Sequence, residues 1–114
     1  MIVSDKNKAK TFSIAPDVTN RLLASGEKIM LVLVEIEEKG VIPVHSHPHE
    51  QMGMCLKGKA EFQTEEGKTI LTKGMAYSLK GNEKHGVKPL SKGGAVFLDI
   101  FSPPREDYLA KVKG

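Results

Sequence analysis

Short apolar segments, separated by glycine and proline, occupy most of the chain between Gly26 and Ser102. They are rich in β-branched residues, and none combines the length and the 3.6-residue period of a good helix. Seven of them are typical of β-strands: residues 29–36, 41–46, 51–57, 59–63, 68–71, 76–79 and 95–101. Many short strands with frequent turn signals predict an all-β sandwich or barrel.

Two local patterns refine this picture. The Glu-Glu-Gly-Lys sequence at residues 65–68 lies between two strand segments and predicts a hairpin turn. Residues 106–112 predict one or two helical turns, with Tyr108, Leu109 and Val112 on one side. No internal repeat or linker divides the chain, so we expect one domain over residues 1–114 with a short C-terminal tail at 102–114.

Composition and charge argue against several classes of protein. The longest apolar run, Ile29–Val34, is far shorter than the about 20 residues of a membrane helix. The N-terminal residues turn polar too early for a secretory signal, and the single Cys55 agrees with a reducing compartment. The lysines are dispersed, and two tyrosines with four phenylalanines are too few for a base-stacking surface. We therefore expect a cytoplasmic protein that binds neither membrane nor nucleic acid.

The four histidines carry the strongest chemical signal. Three of them, His45, His47 and His49, fall within five residues, and the fourth is His85. On an extended strand His45 and His47 leave the same face, with Cβ atoms about 6–7 Å apart. Two imidazoles at that spacing can bind one divalent ion. Pro48 interrupts the strand before His49, which is expected at a pocket rim or behind the ligands. The alternative is a group of surface histidines, or a site that has lost its metal.

Two spaced motifs of glycine and histidine cover residues 40–58 and 74–89. The first reads Gly40-x4-His45-x-His47-x3-Gln51-x6-Gly58, and the second reads Gly74-x10-His85. Together they resemble the two sequence motifs of the cupins. The resemblance implies a single all-β cupin barrel, a double-stranded β-helix or jelly roll. It also implies one divalent metal ion, bound by four side chains: His45, His47, Gln51 and His85.

Gln51 stands where cupins usually have glutamate. A glutamine oxygen can bind a metal but brings no negative charge, so the ion would keep its full positive charge. This favours polarisation of a substrate oxygen or binding of an anion over the 2-His-1-carboxylate chemistry of iron oxygenases. Glu50 would point to the opposite face of the strand. Zinc, nickel, manganese, iron and copper all accept imidazole, so the metal stays open.

A second group of polar residues follows near the C-terminus. Asp99 interrupts the apolar strand at 95–101 and shares a face with Phe97 and Phe101. In a closed barrel this face lines the lumen, where a carboxyl group can act as acid, base or anchor. Arg105 follows two prolines and could be held over the barrel mouth to bind a carboxylate. The alternatives are a strand-end aspartate bonded to a turn, and an arginine paired with a neighbouring acid or solvated.

The segment from Asp99 to Tyr108, taken with the histidine cluster, resembles the pectin-degradation group of small cupins. Members of this group convert ring-form unsaturated uronates to the linear keto acid. The resemblance implies Asp99, Phe101 and Arg105 as substrate-pocket residues, and a small anionic substrate that undergoes metal-dependent ring opening or isomerisation. An oxygen-using metal-dependent dioxygenase and a non-catalytic small-molecule-binding cupin remain alternatives. We expect a homodimer, because small barrels with exposed edge strands commonly pair.

Overall fold

The chain folds into two antiparallel β-sheets and one short helix. This computed structural model describes residues 1–113. The strands are β1 Thr11–Phe12, β2 Val18–Ser25, β3 Met30–Ile36, β4 Ile42–His45, β5 Glu50–Lys57, β6 Lys59–Thr64, β7 Gly67–Thr72, β8 Ala76–Leu79, β9 His85–Pro89 and β10 Ala95–Ser102, followed by helix α1 at Glu106–Val112. The first sheet has the order β1-β2-β3-β10-β5-β8, and the second has the order β4-β9-β6-β7.

The predicted all-β fold is confirmed. Each of the seven predicted strands lies within one residue of its observed bounds, and the helix begins and ends where it is predicted. The predicted hairpin joins β6 to β7, with Thr64 paired to Gly67. The pattern missed β1, β2 and β9 for a physical reason. Asn20 occupies an inward position of β2, and β9 contains a glycine, a lysine and a proline, so neither strand has a clean apolar face.

The core lies between the two sheets and is filled by inward side chains. In β10 these side chains alternate regularly: Ala95, Phe97, Asp99 and Phe101 are buried, while their neighbours are more exposed. Fully burying a large apolar side chain stabilises the fold by about 1.5–3 kcal/mol. Cys55 is also fully buried and free. The core therefore supports β10 along its whole inward face, and Asp99 interrupts that face.

Helix α1 packs across one end of the first sheet. The Tyr108 ring lies 4.7 Å from the ring of Phe12 and 5.5 Å from that of Phe101, measured between centroids. This contact holds the segment that precedes the helix, including Arg105, against the end of β10. Within residues 1–113 there is no helix with the length and apolar character needed to cross a membrane.

Gly58 shows why the first motif ends in glycine. Its φ of +80° is one that L-residues rarely adopt, and a Cβ there would clash with the carbonyl oxygen of Gly94. The tight turn from β5 into β6 depends on this position.

Candidate metal centre

Three histidines converge at one end of the second sheet. His45 is the last residue of β4 and pairs with His85, the first residue of β9. His47 lies in the connection to β5, because β4 ends two residues earlier. The expected shared strand face therefore does not extend to His47. Even so, each of the three side chains offers a ligand atom, and these atoms all lie within 4.8 Å of one another.

Backbone carbonyl groups orient two of the rings. His45 Nδ1 lies 2.8 Å from the Pro43 oxygen, and His85 Nδ1 lies 2.7 Å from the Glu83 oxygen. A carbonyl oxygen only accepts, so each Nδ1 carries the hydrogen and each Nε2 keeps its lone pair. A backbone carbonyl behind a histidine is the usual way in which a metal-binding ring is fixed.

Burial keeps the inner rings neutral. Desolvation, and then the positive charge of Arg105, lowers the pKa of His47 to about 4. Desolvation also lowers the pKa of His85, although its hydrogen bond to the Glu83 carbonyl opposes this effect. Neutral imidazole is the form that binds a metal. Both rings are therefore in that form at neutral pH.

Gln51 completes the group from the first sheet. Its Oε1 lies 2.9 Å from His47 Nε2. Two ligand atoms at right angles around an ion, each about 2.1 Å from it, would be about 3 Å apart. The amide nitrogen faces the other way, 2.8 Å from the Tyr77 hydroxyl and 3.4 Å from Asp99 Oδ2. The glutamine oxygen is thereby aimed at the histidines, whereas Glu50 is exposed as predicted.

These residues fit a divalent ion. His85 Nε2 is buried and has no hydrogen-bond partner among residues 1–113. No hydrogen-bond donor reaches the lone pair of this nitrogen, because its neighbours are other histidine rings. The centroid of the His85 ring lies 4.5 Å from that of His45 and 5.1 Å from that of His47. A cation is the partner that would satisfy this nitrogen and the adjacent neutral donors together.

Asp99 forms a carboxyl group beside this cluster. It is buried, as predicted from its strand parity, and its Oδ1 accepts a hydrogen bond of 2.5 Å from the Tyr77 hydroxyl. Burial raises the pKa of Asp99 to about 7, against the opposing effects of Tyr77 and Arg105. Burial and the adjacent Asp99 charge raise the pKa of Tyr77 well above its usual value, so the phenol stays protonated. A carboxyl group that titrates near neutrality can take up and return a proton.

Gly53 makes the contact between Asp99 and Tyr77 possible. It lies between them in the sheet, paired with Asp99 on one side and Tyr77 on the other. A Cβ at this position would lie 2.7 Å from Asp99 Oδ1 and 2.8 Å from Tyr77 Cε2. A side chain there would push the two groups apart.

Arg105 is buried at the start of α1. It pairs with Asp107 through Nε at 3.2 Å and Nη2 at 2.8 Å, and its Nη1 donates to the Tyr108 hydroxyl at 3.0 Å. The guanidinium carbon also lies 3.9 Å from the centroid of the Tyr108 ring. The ion pair that was an alternative in the sequence is thus present. These contacts use three of the five N–H groups of the guanidinium, which leaves two for a ligand.

The chain matches a known protein family over most of its length. The model of the cupin domain family matches residues 32–101, more than half of the chain. The chain belongs to the cupin family. Over 93 residues this cupin is 33% identical to the pectin degradation protein KdgF of Dickeya dadantii (strain 3937), an alignment that covers 81% of the chain and 84% of that protein. It therefore belongs to the pectin-degradation group of cupins, as the resemblance implied.

Two further proteins are similar to this chain. The structure of KdgF from a Halomonas species superposes on the cupin with a TM-score of 0.86 at 25% identity, and the match covers 94% of this chain and 99% of the other. The H2HPP isomerase of Bacillus subtilis is 35% identical over 66 residues, which is 58% of this chain but only 28% of that protein.

One cavity connects the predicted residues of the cupin. It spans about 400 Å³ of space not filled by atoms, counting the part open to solvent. Three predicted metal ligands and all three predicted pocket residues line it: His45, Gln51, His85, Asp99, Phe101 and Arg105. The predicted ligand His47 and the neighbouring His49 are not among the lining residues. His49 is buried nearby, with its Nε2 3.5 Å from Glu106 Oε2.

Sequence reasoning missed three polar residues that line the cavity: Asn20, Tyr77 and Tyr108, the last of which was predicted only as part of the helix. Tyr77 occupies a short strand in which Ala76 and Ser78 are exposed and Leu79 is buried. That alternation was a signal that Tyr77 faces inward, but its partners Gln51 and Asp99 lie on other strands. Asn20 gave no signal, because its strand was not predicted.

Proposed function

We propose that this cupin converts ring-form unsaturated uronates to linear keto acids. One observation carries the proposal: the Asp99 carboxyl group, the Gln51 amide and two histidines line the same cavity, together with a buried arginine. Membership of the pectin-degradation group, and the similarity to KdgF of Dickeya dadantii, support this class of substrate. The proposed metal ligands are His45, His47, Gln51 and His85, and the proposed substrate-binding and catalytic residues are Asp99, Phe101 and Arg105.

Arg105 is proposed to bind the substrate carboxylate. Its two remaining N–H groups suit an anionic oxygen, and Asp107 and Tyr108 hold the guanidinium in place. Phe101 provides an apolar wall beside it, 5.2 Å from the guanidinium carbon to the ring centroid. A buried, oriented arginine loses little conformational entropy on binding a ligand.

Asp99 is proposed to move the proton. In ring opening the anomeric hydroxyl gives up its proton, the bond from the anomeric carbon to the ring oxygen breaks, and an aldehyde forms. The ring oxygen leaves as an enolate, which takes a proton on carbon and becomes a ketone. One proton is removed and one is added, so the reaction is an isomerisation that needs no oxidant. Asp99 can accept the first proton and return it, since Tyr77 holds the carboxylate in position.

A divalent ion at the histidine cluster would act as a Lewis acid that stabilises negative charge on a substrate oxygen. We propose one such ion per chain, which could be zinc, nickel, manganese, iron or copper. The four proposed ligands are all neutral, which supports this chemistry over oxygen activation by a 2-His-1-carboxylate site. No feature of the cavity favours a dioxygenase or a non-catalytic binding module over the uronate reaction.

The test is turnover of an unsaturated monouronate prepared with a polysaccharide lyase. We expect the wild-type protein to remove the ultraviolet absorbance of the conjugated double bond, and Asp99→Asn to lower kcat by about 100-fold to 10,000-fold. Glu50→Gln, on the outer face of the neighbouring strand, is the matched control and is expected to leave the rate unchanged. Equal, uncatalysed rates for wild type and Asp99→Asn would refute the proposal.

We also propose that the chain forms a homodimer through the outer face of the first sheet. Met52, Met54 and Leu56 of β5 are exposed there, and Leu98 and Ile100 lie beside them on β10. An uncharged apolar patch is complementary to a second copy of itself, as a two-fold interface requires. Light scattering should give twice the chain mass for wild type and the chain mass for Met54→Lys. A monomeric wild type would refute the dimer.

The proposed location is the cytoplasm, and the proposed organisation is a single domain. The free, fully buried Cys55 is compatible with a reducing compartment, because it takes no part in a disulfide. Both sheets of the barrel contribute to one core, which supports the single domain.

A further inference from the structure

We propose that Asn20 is a second polar contact of the cavity, one that binds a hydroxyl group of the substrate. The inference rests on the proposed function for the class of substrate, a sugar acid. It concerns the wall formed by β2, which carries none of the residues discussed above for catalysis or metal binding.

Asn20 is the least exposed polar residue of the cavity, at 1%. Its Oδ1 is buried and has no hydrogen-bond partner among residues 1–113. Three histidine nitrogens share this condition, His47 Nδ1, His49 Nδ1 and His85 Nε2. Each of these rings, however, has a polar contact through its other nitrogen. A buried polar group without a partner costs free energy, so such a group in a folded protein requires an explanation.

Within residues 1–113, the surroundings of Asn20 provide no partner for its Oδ1. It is paired with Phe12 on β1 and Val34 on β3, and Ile14 and Ile36 line the cavity near it. The alternation of β2 places an inward side chain here, between the inward residues Val18 and Leu22. An apolar residue would satisfy the core at this position. The amide is therefore explained best by something that enters the cavity.

The position of Asn20 suits a substrate whose other end is bound near Asp99. Asn20 pairs with Val34, which pairs with Phe97, and Phe97 lies two residues before Asp99 on β10. Two strand spacings and two residue rises place the Cα atoms of Asn20 and Asp99 about 12 Å apart in a flat sheet. Both side chains line the same cavity, and a monosaccharide bonded at both ends would extend between them.

The chemistry of the amide selects a hydroxyl group as its partner. A primary amide has two donors and one acceptor but no charge, and a sugar hydroxyl both donates and accepts. The substrate carboxylate has a better partner in Arg105. Asn20 would thus position a neutral part of the substrate without taking part in proton transfer.

The experiment compares Asn20→Leu with Val18→Ala, a substitution on the inward face of the same strand and outside the cavity lining. Thermal unfolding is measured without ligand, kcat and KM with the unsaturated monouronate, and Kd by calorimetry with galacturonate, which lacks the double bond. For Asn20→Leu we expect KM and Kd to rise about tenfold, the effect of one neutral hydrogen bond, with kcat within threefold of wild type. Its unfolding temperature is expected to be unchanged or higher, because the unpaired amide is gone.

Val18→Ala is expected to unfold at a lower temperature with unchanged KM and Kd. Asn20→Ala provides a second variant, expected to weaken binding as Asn20→Leu does. Lower stability with unchanged Kd in both Asn20 variants would show that the amide only binds a structural water, and would overturn the inference. No binding of galacturonate by wild type would also overturn it. Absence of turnover with a preserved Kd difference would instead refute the proposed reaction and leave the subsite intact.

Discussion

Two groups of site residues are built in different ways. The histidine wall consists of His45, His47, Gln51 and His85, and the carboxyl wall consists of Gln51, Tyr77 and Asp99. In the histidine wall each polar contact is local: His45 bonds to a carbonyl two residues away, His85 does the same, and His47 meets Gln51 four residues away. In the carboxyl wall the contacts join distant strands. Gln51 and Tyr77 are 26 residues apart, and Tyr77 and Asp99 are 22 residues apart.

The two walls should therefore respond differently to substitutions. A local contact forms whenever its own turn forms, so a change in the histidine wall should affect metal binding and little else. The carboxyl wall depends on the register of β5, β8 and β10, and its side chains share their hydrogen bonds. A change there should spread to its partners, because residues in one network do not behave additively. Gln51 belongs to both walls and joins them.

Loss of a histidine ligand should give the largest effect. We expect purified wild type to carry about one divalent ion per chain, and His85→Ala to lose at least about 100-fold in metal affinity. Even the groups behind a ligand are worth 10-fold to 100-fold, and His85 is proposed as a ligand itself. Elemental analysis after equilibration with a metal buffer measures the difference.

His49→Ala is the matched control for this experiment, because His49 is also a buried histidine but is not one of the three whose ligand atoms lie within 4.8 Å of one another. It should retain the ion. If His85→Ala retained the full metal content, the proposed ligand set would be wrong. Thermal unfolding of the two variants distinguishes loss of the ion from loss of the fold.

Gly53→Ala should break the carboxyl wall while the histidine wall stays intact. The added Cβ would lie 2.5 Å from the Leu98 carbonyl oxygen as well as close to Asp99 and Tyr77. We expect a loss of about 1–3 kcal/mol in the free energy of unfolding, as for other overpacked sites, together with a large fall in kcat. Urea unfolding and the uronate assay measure the two effects.

Gly26→Ala is the control for this substitution, since the nearest atom to its Cβ would be 3.7 Å away. It should leave both quantities nearly unchanged. Retention of the metal by Gly53→Ala would show that the two walls are independent of each other. An equal loss of metal and of activity would show that the walls are not independent.

Tyr77→Phe should give a smaller and more specific effect. It removes the hydroxyl that donates to Asp99 and accepts from Gln51, and leaves a buried carboxyl oxygen without a partner. We expect a loss of about 1–3 kcal/mol in the free energy of unfolding. A double-mutant cycle with Asp99→Asn should give a coupling of at least about 0.5 kcal/mol. Additive losses would contradict the shared network.

The sequence predicted the histidine wall better than the carboxyl wall for the same physical reason. The spacing of His45, His47 and Gln51 is visible within one short segment, and the inward position of Asp99 follows from strand parity alone. The roles of Gly53 and Tyr77 depend on which strands lie side by side. No local pattern carries that information, because register is set by the whole sheet.

The missed strands show a related limit. Asn20 is a polar residue at an inward position of β2, where a regular strand would have an apolar one. The same polar side chain makes it a candidate binding residue. Sequence patterns detect a strand by its regular core face, so a strand that contributes to a polar cavity is harder to detect. The strands that were found within one residue of their bounds, such as β8 and β10, keep a regular alternation.

The ion pair between Arg105 and Asp107 should give the smallest effect, and its pH dependence is specific. Burial raises the pKa of Asp107, but the hydrogen bond to Arg105 and its charge lower it more, so the pKa lies below its usual value. A lowered carboxyl pKa in the folded state contributes stability above the unfolded pKa of about 4, which is lost as pH falls through the folded value. Because the Asp107 side chain is 54% exposed, we expect Asp107→Asn to cost less than about 1 kcal/mol at pH 7.

Urea unfolding at pH 7 and at about pH 2.5 measures this difference, which should shrink at the lower pH because Asp107 is then protonated in the unfolded state and more protonated in the folded state than at pH 7. Glu106→Gln is the control. The Glu106 carboxylate is next to Asp107 in the sequence, but it is exposed and does not contact Arg105. A difference that persists unchanged at low pH would mean that Asp107 acts through packing and not through its charge. In that case the orientation of Arg105 would rest on Tyr108 alone, and Asp107→Asn should leave the KM for the uronate unchanged.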